Sequence, residues 1–137
     1  MVEMRPGALE VVLSYVEAAQ QARRSQREED WQRLAELLAE DVVWQLAGDG
    51  TGELWRGRRG RAEVLAALQV SQNSWLRLQT KTVNAFADGD QVLVEQESTV
   101  IGEDGTTWVK PVAFVFVVAD GRVAKISTYR NDGGAAG

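Results

Sequence analysis

Glu95 and Glu97 stand two residues apart in the stretch QVLVEQESTV, residues 91–100. The stretch reads as a β-strand. In a strand, residues i and i+2 point to one face, about 7 Å apart. Two like charges on one face either meet water or line a pocket. In an apolar pocket they would not ionise together, and one would keep a proton, giving a general acid beside a general base. The chain has no histidine, which removes the commonest general base and the commonest zinc ligand. It has no cysteine, which excludes disulfides and thiolate chemistry. A carboxylate is therefore the most available proton-transfer group. The other face of the same strand carries Val92, Val94, Gln96, Ser98 and Val100, and is itself a candidate core face.

The elements that must position these residues follow from periodicity. Leu9, Val12, Leu13, Val16 and Ala19 recur at three and four residues and predict an amphipathic helix from Ala8. The charged run QARRSQREED ends it or bridges to a second helix from about Glu29, with Trp31, Leu34, Leu37 and Leu38 as its apolar face. AEDVVWQLAG switches to a short strand, GDGTGELWRGRRG is a glycine-rich loop, and RAEVLAALQVSQ is a third helix. WLRLQTKTVNAFA, the glutamate-bearing strand, TTWVKPVAFVFVVA and RVAKISTYRND then read as strands. They are separated by DGD at 88–90, GEDG at 102–105 and DG at 120–121. Turns this short join antiparallel neighbours, so the second half is a meander of three hairpins. Helices first and a meander afterwards imply an α+β fold with helices packed on one face of an antiparallel sheet. The strand around Phe114 is apolar on both faces and should be central. One chain has helices enough for one face only, so a homodimer through the outer sheet face is expected. Residues 1–132 are expected to form a single domain, and GGAAG at 133–137 a disordered tail.

With 137 residues, 45% of them hydrophobic and 26% charged, the chain is long and apolar enough for a core of its own. The net charge of −5 argues against a nucleic-acid partner, because neutralising phosphates needs a basic surface. No signal peptide is recognisable at the start and no apolar run reaches membrane-spanning length, so a soluble cytoplasmic protein is the expectation. No phosphate loop, metal cluster or nucleotide fingerprint is present, and GDGTG lacks both the strand–helix setting and the lysine of such a loop. ARRSQREED and RGRRGR read as solvated charge.

Three phrases, DWQRLAELLAEDVVWQL, WRGRRGRAEVLAAL and VFVVADGRVAKISTYRND, together with the order of helices and meander, resemble the nuclear-transport-factor-like superfamily. Within it they resemble the SnoaL-like polyketide cyclases and the limonene epoxide hydrolases. The resemblance covers residues 8–132 and implies a cone: a strongly curved antiparallel sheet, cystatin-like, wrapping a long helix and enclosing an apolar pocket. No cofactor and no metal are expected. The resemblance leaves the activity open, since this fold hosts cyclases, isomerases, dehydratases, hydrolases and binders.

Counting without gaps from the turn at Asp120–Gly121 puts the hydrolases' arginine at Glu95 and the neighbouring aspartate at Glu97. Their second aspartate falls at Thr128, and their water-holding tyrosine and asparagine fall near Trp44 and Leu46. Only the acid at Glu97 is kept in kind, so limonene-type epoxide hydrolysis is not expected. By this register Glu95 and Glu97 face the pocket, and Glu97 is the better acid–base candidate.

Around them Trp44 and Trp55 read as aromatic core or pocket wall, Tyr15 as packing or a ligand contact, Phe114 as a ligand contact on the Lys110 face, and Thr128 as a pocket hydroxyl. Lys110 either reaches water or partners Glu95 or Glu97 across the sheet. Arg130 either shares the Thr128 face and pairs with a carboxylate or an anionic substrate, or ends in solvent. Pro111 cannot donate to the sheet ladder and should mark a bulge or an edge. The leading expectation is a cofactor-independent isomerase, cyclase or dehydratase acting on a hydrophobic, oxygenated polyketide or terpenoid. The alternatives are a non-catalytic binder or an accessory protein of the same fold.

Overall fold

The computed structural model describes residues 7–47, 57–73, 78–101 and 104–130. Three helices and six strands are formed among them: α1 (Ala8–Ser25), α2 (Glu28–Glu36), β1 (Leu38–Ala47), β2 (Arg58–Arg59), α3 (Arg61–Asn73), β3 (Leu78–Asp88), β4 (Gln91–Ile101), β5 (Thr107–Ala119) and β6 (Arg122–Arg130). The tail expected at residues 133–137 lies outside the described residues.

Helix α1 is amphipathic as predicted, but its buried stripe is rotated from the expected one: Val12 and Ala19 are shared, Leu9 and Val16 are half-buried, and Leu13 is exposed. Val11, Val12, Tyr15, Ala18, Ala19 and Ala22 are buried, and the small residues of its last turns let the helix backbone approach the sheet. Gln26 ends it in the left-handed conformation, at φ 56°, and its N–H donates to the carbonyl of Ala22 at 2.8 Å. Glu28, Glu29 and Asp30 occupy the first turn of α2, where the helix dipole favours negative charge. Trp31 and Leu34 of α2 join the core.

The strands form one sheet in the order β2-β1-β6-β5-β4-β3. β3 to β6 are the predicted antiparallel meander of three hairpins. Asp120 and Gly121 both have positive φ, 52° and 75°, as a two-residue hairpin turn of the right twist requires. One pairing departs from the all-antiparallel expectation: β1 lies parallel to β6, with Trp44 opposite Ile126 and Leu46 opposite Thr128. A parallel neighbour needs a long crossover, and everything from β2 through β5 intervenes between them. The two-residue β2, on the far edge, was not foreseen either.

The core lies between α1 and one face of the sheet. Val92, Val94, Phe116, Val123 and Ile126 are buried there with the stripe of α1. The ring of Phe116 is stacked on Phe114 and met edge-on by Tyr15. α1 contacts β3, β4, β5 and β6, which places it along the concave side of the curved sheet. No helix among the described residues is long and apolar enough to cross a membrane.

Candidate functional site

The pairing register decides which side chains face α1. Val94 of β4 stands opposite Phe114 of β5, Phe114 opposite Thr128 of β6, and Thr128 opposite Leu46 of β1. One row toward the core end, Val92, Phe116, Ile126 and Trp44 share the same face. One row the other way come Thr82, Gln96 and Val112, and Ser98 and Lys110 follow.

Glu95 and Glu97 belong to the other face. They stand opposite Ala113 and Pro111, and both are exposed. Asn84 donates to Glu95 Oε1 at 3.2 Å, and Lys81 stands opposite Glu97. This corrects the expectation that they line the pocket. Strand faces have a period of two, so a one-residue difference from the hydrolases anywhere between the shared turn and β4 flips every side chain. Gap-free counting cannot detect it. The apolar enclosure that a proton-sharing pair requires is therefore not around them. Pro111 stands opposite Glu97 of β4 with no shift of register there, and the position across from it on the β6 side lies outside the described residues.

The remaining predicted residues divide. Trp44 is half-buried, and its indole N–H donates to the Thr128 hydroxyl at 2.9 Å. Thr128 is buried, at 4% exposure. Phe114 and Lys110 are half-buried on the same sheet face. Tyr15 is buried on α1 against Phe116. Burial pushes its phenol up to about 12, with Arg23 acting in the opposite sense, so it keeps its proton at neutral pH. Arg130 closes β6 opposite Val112, and its side chain is outside the described set. Trp55 lies outside the described residues altogether.

Three polar residues that the sequence reading had not singled out stand between α1 and this face. Gln96 is buried and donates to the Thr82 hydroxyl at 3.3 Å. Gln20 of α1 donates to the Thr80 hydroxyl at 3.0 Å, tying helix to sheet. Arg23, read as part of a solvated run, is half-buried, and desolvation lowers its pKa while Tyr15 opposes the shift. The usable signal was parity: Gln96 falls on the alternation of Val92 and Val94.

Among the described side chains, the sheet face toward α1 carries aromatic rings, hydroxyls and an amide, with Lys110 as its charge and no carboxylate, and α1 adds Gln20 and Arg23 from the other side. No group of three or more acidic side chains among them is arranged as metal ligands would be. Such a surface can desolvate a flat ligand and hydrogen-bond its oxygens through neutral groups.

The sequence profile of the SnoaL-like domain matches residues 15–126. None of the curated proteins matches the chain significantly. Among solved structures, the chain is similar to an NTF2-like protein from Anabaena variabilis, with a TM-score of 0.74, 17% identity, and coverage of 96% of this chain and 94% of that one. It is similar to a protein from Jannaschia sp. CCS1 named for its likeness to SnoaL-like polyketide cyclases, with a TM-score of 0.71, 15% identity, and coverage of 98% and 95%. It is also similar to an LEH-like epoxide hydrolase from M. tuberculosis, with a TM-score of 0.68, 24% identity, and coverage of 90% and 82%. Identities this low establish the shared fold.

Proposed function

The chain belongs to the SnoaL-like domain family, and we propose that it binds a hydrophobic, oxygenated small molecule of the polyketide or terpenoid kind between α1 and the concave face of its sheet. The observation that carries this reading is the composition of that face. Phe114 and Trp44 present half-buried aromatic surface beside hydrogen-bonding groups that are already held in place, Thr128 by Trp44 and Gln96 by Thr82. Ligand sites have this make-up, mostly apolar walls with a few placed polar groups.

A second reading, cofactor-free isomerisation, cyclisation or dehydration, is favoured by one observation. Tyr15 of α1 packs edge-on against Phe116, which stacks on Phe114, so a neutral phenol donor stands beside the proposed ligand surface. Glu95 and Glu97 take no part in either reading, because the sheet separates them from the α1 side. Likeness to a cyclase-like protein and to an epoxide hydrolase supports an enzyme only as far as fold does.

The test is a thermal-shift and calorimetry screen of aromatic ketones and quinones against the full chain. Binding raises the melting temperature by mass action. Loss of that shift in Phe114→Ala and Trp44→Ala, with the fold retained, supports the concave site; an unchanged shift in both refutes it. Mass spectrometry of the bound compound after incubation separates the two readings, since only an enzyme returns a rearranged or dehydrated product.

We also infer that two copies pair through the outer sheet face. Phe86, Leu93, Val109 and Tyr129 are exposed there, beside the half-buried Val115 and Val117. An apolar surface of this kind is a liability on a lone chain.

A further inference from the structure

We propose that Thr128 is a directed hydrogen-bond donor that makes the concave site select ligands bearing a carbonyl or other hydrogen-bond-accepting oxygen. The proposal rests on the reading that the ligand lies against Phe114 and Trp44.

A threonine hydroxyl has one proton and two lone pairs, and it can rotate to suit its surroundings. An indole N–H can only donate. The contact of 2.9 Å between Trp44 Nε1 and Thr128 Oγ1 therefore has one possible polarity: the tryptophan gives and the threonine accepts. This bond takes up a lone pair and leaves the hydroxyl proton to be spent elsewhere. Among the described residues the side-chain bond of this hydroxyl is the one it accepts from Trp44, so its proton can turn toward a ligand.

The surroundings determine where that proton is useful. Thr128 is in register with Phe114 on one side and with Leu46 on the other, on the face that packs against α1. It is buried, so little water competes for its proton, while the rings beside it keep accessible surface. A flat molecule laid on Phe114 and Trp44 brings a ring substituent to the hydroxyl. An accepting oxygen there completes the chain Trp44–Thr128–ligand, and hydrogen bonds in such chains polarise one another. A methylene at the same place leaves a buried donor without a partner, which carries a desolvation cost. Trp44 acts here as a positioning residue: it touches the ligand with its ring and orients Thr128 through its N–H.

The experiment compares dissociation constants of 1-tetralone and tetralin, which differ by one carbonyl oxygen, for the full chain and three variants. Wild type is expected to bind the ketone about two- to tenfold more tightly than the hydrocarbon, the range that one net hydrogen bond supports. Thr128→Ser keeps the hydroxyl and should keep that ratio. Thr128→Val keeps the shape and should bring the ratio to about one. Trp44→Phe should narrow the ratio, because the hydroxyl is no longer held; a merely structural role for Trp44 would weaken both ligands equally. A ketone preference that survives in Thr128→Val overturns the proposal. If Thr128→Val does not fold, Trp44→Phe decides, and an undiminished ratio in it overturns the proposal. If both compounds bind wild type equally, the concave site stands and the role of Thr128 falls. If neither binds, both fall.

Discussion

The phenol ring of Tyr15 on α1 meets the ring of Phe116 on β5 edge to face, with centroids 5.5 Å apart and planes inclined at 62°. It is the aromatic contact by which the helix is seated on the central part of the sheet, and both residues are buried. Aromatic pairs prefer this geometry because the positive ring edge meets the negative face.

Removing either ring should therefore be severe. Tyr15→Ala and Phe116→Ala are each expected to cost about 3–5 kcal/mol, the usual range for deleting a buried aromatic. Because the two rings touch, the double variant should lose less than the sum. Urea unfolding followed by far-ultraviolet circular dichroism measures all three.

The same phenol predicts an alkaline response. Its folded pKa of about 12 lies above the ordinary value of 10.0, so the fold favours the protonated form. The stabilisation is complete below pH 10 and fades as pH rises from 10 through 12. The urea midpoint of wild type should fall across that window, and Tyr15→Phe should lack this part of the fall. Equal slopes in the two proteins would dismiss it.

Glu95→Gln and Glu97→Gln should change the stability of the single chain by no more than about 0.5 kcal/mol, as surface substitutions do, whatever their effect on pairing through the outer face. Neither should alter the affinity of a compound bound at the concave site. A tenfold loss of that affinity in Glu97→Gln would return this carboxylate to the site.

Leu93→Arg tests the outer face. Leu93 stands between Phe86 and Val115, on the side away from α1. Wild type should sediment as a dimer at micromolar concentration and the variant as a folded monomer. A monomeric wild type would refute the pairing.

Acid should loosen the corner between α1 and α2. Asp30 accepts from Ser25 Oγ at 2.5 Å and from Gln21 Nε2 at 3.5 Å, and the Ser25 hydroxyl in turn accepts from the Arg27 N–H. The Ser25 bond, more than any other contact, lowers the Asp30 pKa below 3.8. A depressed carboxylate stabilises the fold above its unfolded value and loses that contribution as pH falls through the folded value. The melting temperature of wild type should drop below pH 4 more steeply than that of Asp30→Asn.

Much of the architecture was written in local chemistry. The stripe Val12–Val16–Ala19 can only be one face of a helix. Asp120–Gly121 supplies the positive φ angles a two-residue hairpin turn needs, so the meander was legible from its turns. What stayed hidden was non-local. β1 pairs with β6 across nearly the whole chain, and β2 is two residues long; neither leaves a periodic trace. Alternation in QVLVEQESTV separates Glu95 and Glu97 from Val94 and Gln96, but it does not say which set meets a helix. Both sets contain apolar and polar members, so a period of two is satisfied either way. Packing against α1 settles it, because Val92 and Val94 fit beside Phe116 and Tyr15, and the glutamates take the other side by geometry alone. The pairing of Trp44 with Thr128 was equally out of reach, since 84 residues separate them and only the parallel register of β1 on β6 brings the indole to the hydroxyl. The sequence by itself determined the elements and their order. The tertiary structure decided which face of each strand is inside, and with it which side chains can meet a ligand.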